Sequence, residues 1–122
     1  MRDHTKLRAF ELADELVLEV YKETVDFPKE EMFGLTSQLR RASVSVPSNI
    51  VEGCARSSEV EYICFLEIAY DTAKEVEYQI GLSYRLGLLP EVPYQDLESW
   101  ATESAKVLNG LIKALRRSNP PA

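Results

Sequence analysis

The stretch that decides the fold is SEVEYICFLEIAYDTAKEVEYQIGLSYRLG, residues 58–87. Within it Tyr62, Leu66, Ala69, Ala73, Val76, Ile80, Ser83 and Gly87 step by four and three without a break. An α-helix turns about 100° per residue, so this stepping gathers them on one stripe, the seam along which bundle helices interlock. The spacing predicts a helix over 58–86. Ser57 or Ser58 stands where a side-chain oxygen caps the first turn, and Glu59 and Glu61 suit the helix's positive end. Gly87 suits the C-terminal cap, and Pro90 with Pro93 encloses the connection that follows.

The same stepping extends outward in both directions. Downstream, Tyr94, Leu97, Ala101, Ser104, Leu108, Leu111 and Leu115 predict a helix over 94–116, with 118–122 as a frayed tail. Upstream, Leu35, Leu39, Ala42, Val46, Ile50 and Gly53 predict a helix over 34–55. Pro47 lies inside it and removes one backbone donor. Two short helices would also fit, but the stripe keeps phase across Pro47, which favours one kinked helix. Nearest the N-terminus, Leu7, Phe10, Ala13, Val17, Val20, Tyr21 and Thr24 predict a helix over 7–25, ended by Phe27-Pro28. No segment alternates with period two. The reading is an all-α, antiparallel up-down-up-down four-helix bundle, one domain over 1–122.

Charge and composition narrow the function classes. Twenty acids against 14 bases and one histidine give a net charge of −6. Phosphate contacts need a basic excess, so a role as a whole-surface nucleic-acid binder is disfavoured, while a local basic patch stays open. The N-terminus leads into Leu7 without an apolar leader, and no run reaches the length of a membrane span. With two cysteines, Cys54 and Cys64, read as free thiols, the expectation is a cytoplasmic protein that does not engage a membrane.

Two helices carry more than a core stripe. Val44, Pro47 and Val51 fall on a second face of 34–55, and Ile63, Cys64, Phe65 and Ile68 lie beyond the seam of 58–86. Surplus apolar surface marks a subunit interface, which nominates Val44, Pro47, Val51, Ile63, Phe65 and Ile68 for oligomer contacts. A polar line, Gln38, Arg41, Ser45, Asn49 and Glu52, flanks the core stripe of the same second helix. Its readings are helix register or interface, a ligand pocket, or a solvated face.

Familiar chemistries find no footing. Bundle di-metal sites need paired Glu-x-x-His motifs, and His4 lies ahead of the first helix. Neither cysteine has an internal histidine as base, and two cysteines alone do not make a zinc site. The scattered glycines form no phosphate loop. No cofactor, no metal and no catalytic residue is expected. Arg40, Arg41 and Arg56, and Lys113, Arg116 and Arg117, are the basic clusters able to meet phosphate, more so if a ring repeats them.

Three blocks then stand in order: Phe27-Pro28-Lys29-Glu30-Glu31, Gly34-Leu35-Thr36-Ser37-Gln38-Leu39-Arg40-Arg41-Ala42, and Ser45-Val46-Pro47-Ser48-Asn49-Ile50-Val51-Glu52-Gly53. Phe65-Leu66-Glu67-Ile68-Ala69 and Leu108-Asn109-Gly110-Leu111-Ile112 continue them. Together they resemble the bacterial four-helix bundle proteins encoded inside intervening sequences of 23S rRNA genes. The resemblance implies a ring-like homopentamer, and kinship with accessory proteins of diversity-generating retroelements that bind nucleic acid and a reverse transcriptase. The expected function is a non-enzymatic oligomeric scaffold serving an RNA- or DNA-containing complex. The alternatives are an adaptor binding another protein through the apolar faces of the second and third helices, and a small-molecule binder.

Overall fold

A computed structural model describes residues 2–118. Four helices carry the chain: α1 (Arg8–Thr24), α2 (Leu35–Cys54), α3 (Glu59–Arg85) and α4 (Glu91–Ser118). Single 3₁₀ turns precede α1 (His4–Lys6) and α2 (Lys29–Glu31), and no strand occurs among the described residues. Contacts run α1–α2, α2–α3, α3–α4 and α4–α1, with none across either diagonal. Short connections between such neighbours make the fold an antiparallel up-down-up-down bundle. Residues 119–122, most of the expected tail, lie outside the described residues.

The seam of α3 is the spine of the core. Tyr62, Leu66, Ala69, Ala73, Val76, Ile80 and Ser83 are all buried, as is the whole predicted stripe of α2. Small residues recur along these stripes, among them Ala13, Ala42, Ala69, Ala73, Ala101, Ser43, Ser83 and Ser104. They let the helices approach closely, which makes the core narrow. The buried serines return their hydroxyls to their own helices, Ser43 to the Arg40 carbonyl, Ser83 to Gln79 and Ser104 to Trp100. None is left as an unpaired donor.

The ends of α3 follow from local chemistry. Ser58 Oγ accepts the Glu61 N–H at 3.2 Å. At the far end Gly87 takes φ +77, the left-handed region where glycine has no Cβ penalty. The Gly87 N–H then reaches the Tyr84 carbonyl and the Leu88 N–H the Ser83 carbonyl, a Schellman closure.

Two local expectations shift, at the start of α4 and on the face of α1. α4 begins at Glu91, ahead of the expected Tyr94, and takes Pro93 into its first turn. A proline costs nothing there, because first-turn N–H groups have no intrahelical partner. α2, by contrast, is one helix with Pro47 inside it, as the unbroken phase of its stripe favoured over two short helices. In α1 the buried face is Ala9, Leu12, Ala13, Leu16, Val20 and Thr24, whereas Val17 is half-buried and Tyr21 exposed. The contiguous Leu16-Val17-Leu18 offers two apolar faces, and packing selects the one through Leu16.

Candidate functional site: a polar cleft between α2 and α3

The first part of the polar line of α2 faces α3. Gln38, Arg41, Ala42 and Ser45 line an open cleft of about 410 Å³ together with Thr72, Glu75 and Gln79 of α3. On each helix the lining residues step by three and four, 38, 41 and 45 on α2 and 72, 75 and 79 on α3, so each helix presents one face to the cleft. Gln79 forms the buried floor, 7% exposed, with Nε2 donating to Glu75 Oε1 at 3.4 Å. A carboxylate only accepts, which fixes the amide's orientation and leaves Gln79 Oε1 buried without a donor. Thr72 donates its hydroxyl to the Ile68 carbonyl at 2.8 Å.

Arg41 and Glu75 line the same cleft with opposite charges and form no ion pair. Asn49 turns away from ligand duty: its Nδ2 donates to the Ser45 carbonyl at 2.8 Å and to Ser45 Oγ at 3.0 Å. Glu52 is exposed and lines a separate groove with Phe10, Pro47 and Val51. Of the five polar residues, three therefore share the cleft. Its α3 wall was not foreseen; the one available signal was Gln79, a long polar side chain placed between Val76 and Ile80 of the seam.

The surplus apolar residues divide between two places. Val44, Val51 and Ile68 stay exposed, Ile63 and Phe65 are half-buried, and Pro47 is buried. Pro47 and Val51 line a shallow groove with Phe10 of α1, so this face of α2 looks onto the α1 side.

The basic candidates separate along the bundle axis. Arg40 is tied to the end of α1, where its Nε donates to Thr24 Oγ1 at 2.8 Å and its guanidinium lies 4.7 Å from the Tyr21 ring centre. Arg56, Lys113, Arg116 and Arg117 belong to the opposite end, where α2 meets α3 and α4 finishes. There Arg116 pairs with Glu67, Arg56 lies 4.8 Å over the Phe65 ring, and Lys113 and Arg117 are exposed.

Cys54 is buried and Cys64 exposed, both as free thiols. Burial pushes the Cys54 thiol up, against a hydrogen bond from Tyr62 that lowers it. Burial likewise pushes the Tyr62 phenol up to about 12, with Cys54 beside it adding to the shift. A protonated, shielded thiol is a poor nucleophile. Among the described residues, no three His, Cys, Asp or Glu side chains come together as a metal site, and no helix is long and apolar enough to cross a membrane.

Fold and cleft together define a small all-α four-helix bundle with an open polar groove on one side. The chain belongs to the family described as 23S rRNA-intervening sequence protein, whose pattern matches residues 5–110. It is similar to a protein of unknown function from the S23 ribosomal protein family of Bacteroides thetaiotaomicron, solved at 1.70 Å. That likeness has a TM-score of 0.78 and 27% identity, and covers 86% of this chain and 98% of the other. No curated protein matches.

Proposed function

We propose that the chain is a non-enzymatic scaffold that assembles into a homo-oligomer, a homopentamer on the family resemblance, and serves a nucleic-acid-containing complex. The observation that carries it is the exposed apolar set Val44, Val51 and Ile68 on a 122-residue bundle whose core is already filled. Such side chains gain about 25 cal/mol per Å² when a second copy covers them. The nucleic-acid half rests on Arg56, Lys113 and Arg117 standing at one end of the bundle, where assembly multiplies each charge. Kinship with the retroelement accessory proteins belongs to this same reading.

Native mass spectrometry of the full chain purified from its own host tests both halves. A pentamer carrying RNA or DNA is the expected species. A monomer at micromolar concentration removes the assembly, and undetectable or salt-insensitive binding to RNA and single-stranded DNA removes the nucleic acid.

A second reading, a protein-binding adaptor, has its own observation. Val25, Met32, Phe33, Leu86 and Val92 all sit at the end of the bundle opposite Arg56, Lys113 and Arg117, and Phe33 is 93% exposed. A stoichiometric protein partner in the same mass spectrum, lost on Phe33→Ser, is its expected signature.

A further inference from the structure

The α2–α3 cleft presents an unusual balance of groups. Arg41 is a cation without a partner among the described residues, and Glu75 is a carboxylate on the facing helix. They do not pair with each other although both line the cleft, which leaves both charges open to a bound molecule. Beneath Glu75, one helical turn on, Gln79 holds a buried carbonyl oxygen that lacks a donor. An unpaired buried acceptor carries a desolvation cost that an N–H donor removes. Gln79 itself lines the cleft, and a ligand that took over Glu75 would release the amide, whose soft terminal torsion would then let Oε1 turn toward it. Gln38 adds an amide, and Ser45 Oγ, already accepting from Asn49, keeps its own O–H to donate.

A simple anion would satisfy Arg41 and leave Glu75 facing a like charge. A simple amine would satisfy Glu75 and Gln79 and leave Arg41 unanswered. A molecule with both charges close together meets the whole set. We propose that the cleft binds a free α-amino acid, its carboxylate on the Arg41 guanidinium with Gln38 and Ser45 beside it, its ammonium on Glu75 and Gln79 Oε1. The guanidinium fork matches a carboxylate through two parallel hydrogen bonds. An ammonium offers three donors, enough for both acceptors that α3 places one turn apart. The volume of about 410 Å³ exceeds what the charged head needs, so the amino acid's side chain has room along the open mouth. This inference stands apart from self-association and nucleic-acid binding.

The test is an amide NMR titration of the isotopically labelled full chain with L-amino acids, first in pools and then singly, at millimolar concentration. Expected are saturable shifts confined to 38–45 and 72–79, including the side-chain amide signals of Gln38 and Gln79. N-acetylation or C-amidation of the binding amino acid should each weaken it at least about tenfold, the loss of one charge partner. Arg41→Gln and Glu75→Gln should do the same; both sites are exposed, and an unchanged thermal midpoint shows that the fold is intact. Absence of saturable shifts with every amino acid overturns the proposal, as does equal binding of the blocked forms. Native mass spectrometry of the same sample separates this outcome from failure of the scaffold reading, since it reports assembly whether or not an amino acid binds.

Discussion

Gly53 lies so close to α3 that a Cβ built on it would stand 2.9 Å from the Cβ of Phe65, with Tyr62 Cδ1 and the Tyr62 carbonyl at 3.3 Å. The C-terminal turn of α2 can therefore meet the first turns of α3 only without a side chain at 53. Two of the three neighbours belong to the α3 backbone or its first side-chain carbon, so neither can swing away.

Gly53→Ala should consequently be destabilising although alanine is the better helix former by about 1 kcal/mol. Overpacking costs about 1–3 kcal/mol, so a net loss of up to about 2 kcal/mol is expected by urea unfolding. Gly110→Ala is the control, since nothing lies within 4 Å of its added Cβ. That variant should gain about 0.5–1 kcal/mol. Equal effects at both positions would show that helix propensity alone governs Gly53.

Leu66 and Ile80 are each fully buried on the α3 seam. Truncating either to alanine removes apolar contact and leaves a cavity in a narrow core, for a cost of about 2–5 kcal/mol. Chemical denaturation measures it directly. A cost below about 0.5 kcal/mol at both would contradict the seam.

What the sequence made legible was the stripe of a helix that offers one apolar face, and the caps that close it. The α3 stripe could be read because its four-three stepping runs without a break, and the Ser58 cap and Gly87 stop are local chemistry. α1 misled at Leu16-Val17-Leu18, where two apolar faces compete and only packing against α2 and α4 chooses. Phe27 and Leu89 enter the core from connections, and no periodicity announces a residue outside a helix. The candidate site was half visible for a related reason. Gln38, Arg41 and Ser45 share a helix, whereas Thr72, Glu75 and Gln79 join them through the α2–α3 register, which side-chain interlocking sets.

Tyr62 makes stability depend on alkaline pH. Its phenol is held up to about 12 in the folded chain, whereas an unfolded tyrosine ionises near about 10. Between those values the folded state binds more protons than the unfolded one, so stability falls as pH rises and is fully present below the window. The loss should reach about 1–3 kcal/mol by the top of the window. The raised Cys54 thiol pulls in the same direction from lower pH. Urea titrations at pH 8 and above pH 11 should show this fall in the native chain, and a shallower one in Tyr62→Phe, which keeps the ring and removes the titrating hydroxyl.

Arg2 performs a task that α2 cannot perform for itself. The last turn of α2 contains no basic residue, although its free carbonyls favour a cation. Arg2 supplies one from the N-terminal segment: Nη1 donates to the Arg56 carbonyl at 2.6 Å, and Nη2 meets Glu59 Oε1 at 3.3 Å. The same guanidinium lies 4.1 Å from the centre of the Tyr62 ring. One planar group thus closes the end of α2, the start of α3 and the buried Tyr62 together. Arg2→Ala should lower stability by about 1–2 kcal/mol, more than a lone surface ion pair is worth. Arg2→Lys should recover little, because an ammonium cannot hold two acceptors in a plane while stacking on a ring. Hydrogen exchange localises the effect: faster exchange at 54–62 in both variants, with the α2–α3 cleft unchanged, is the expected pattern. Full rescue by lysine would reduce the role of Arg2 to its charge.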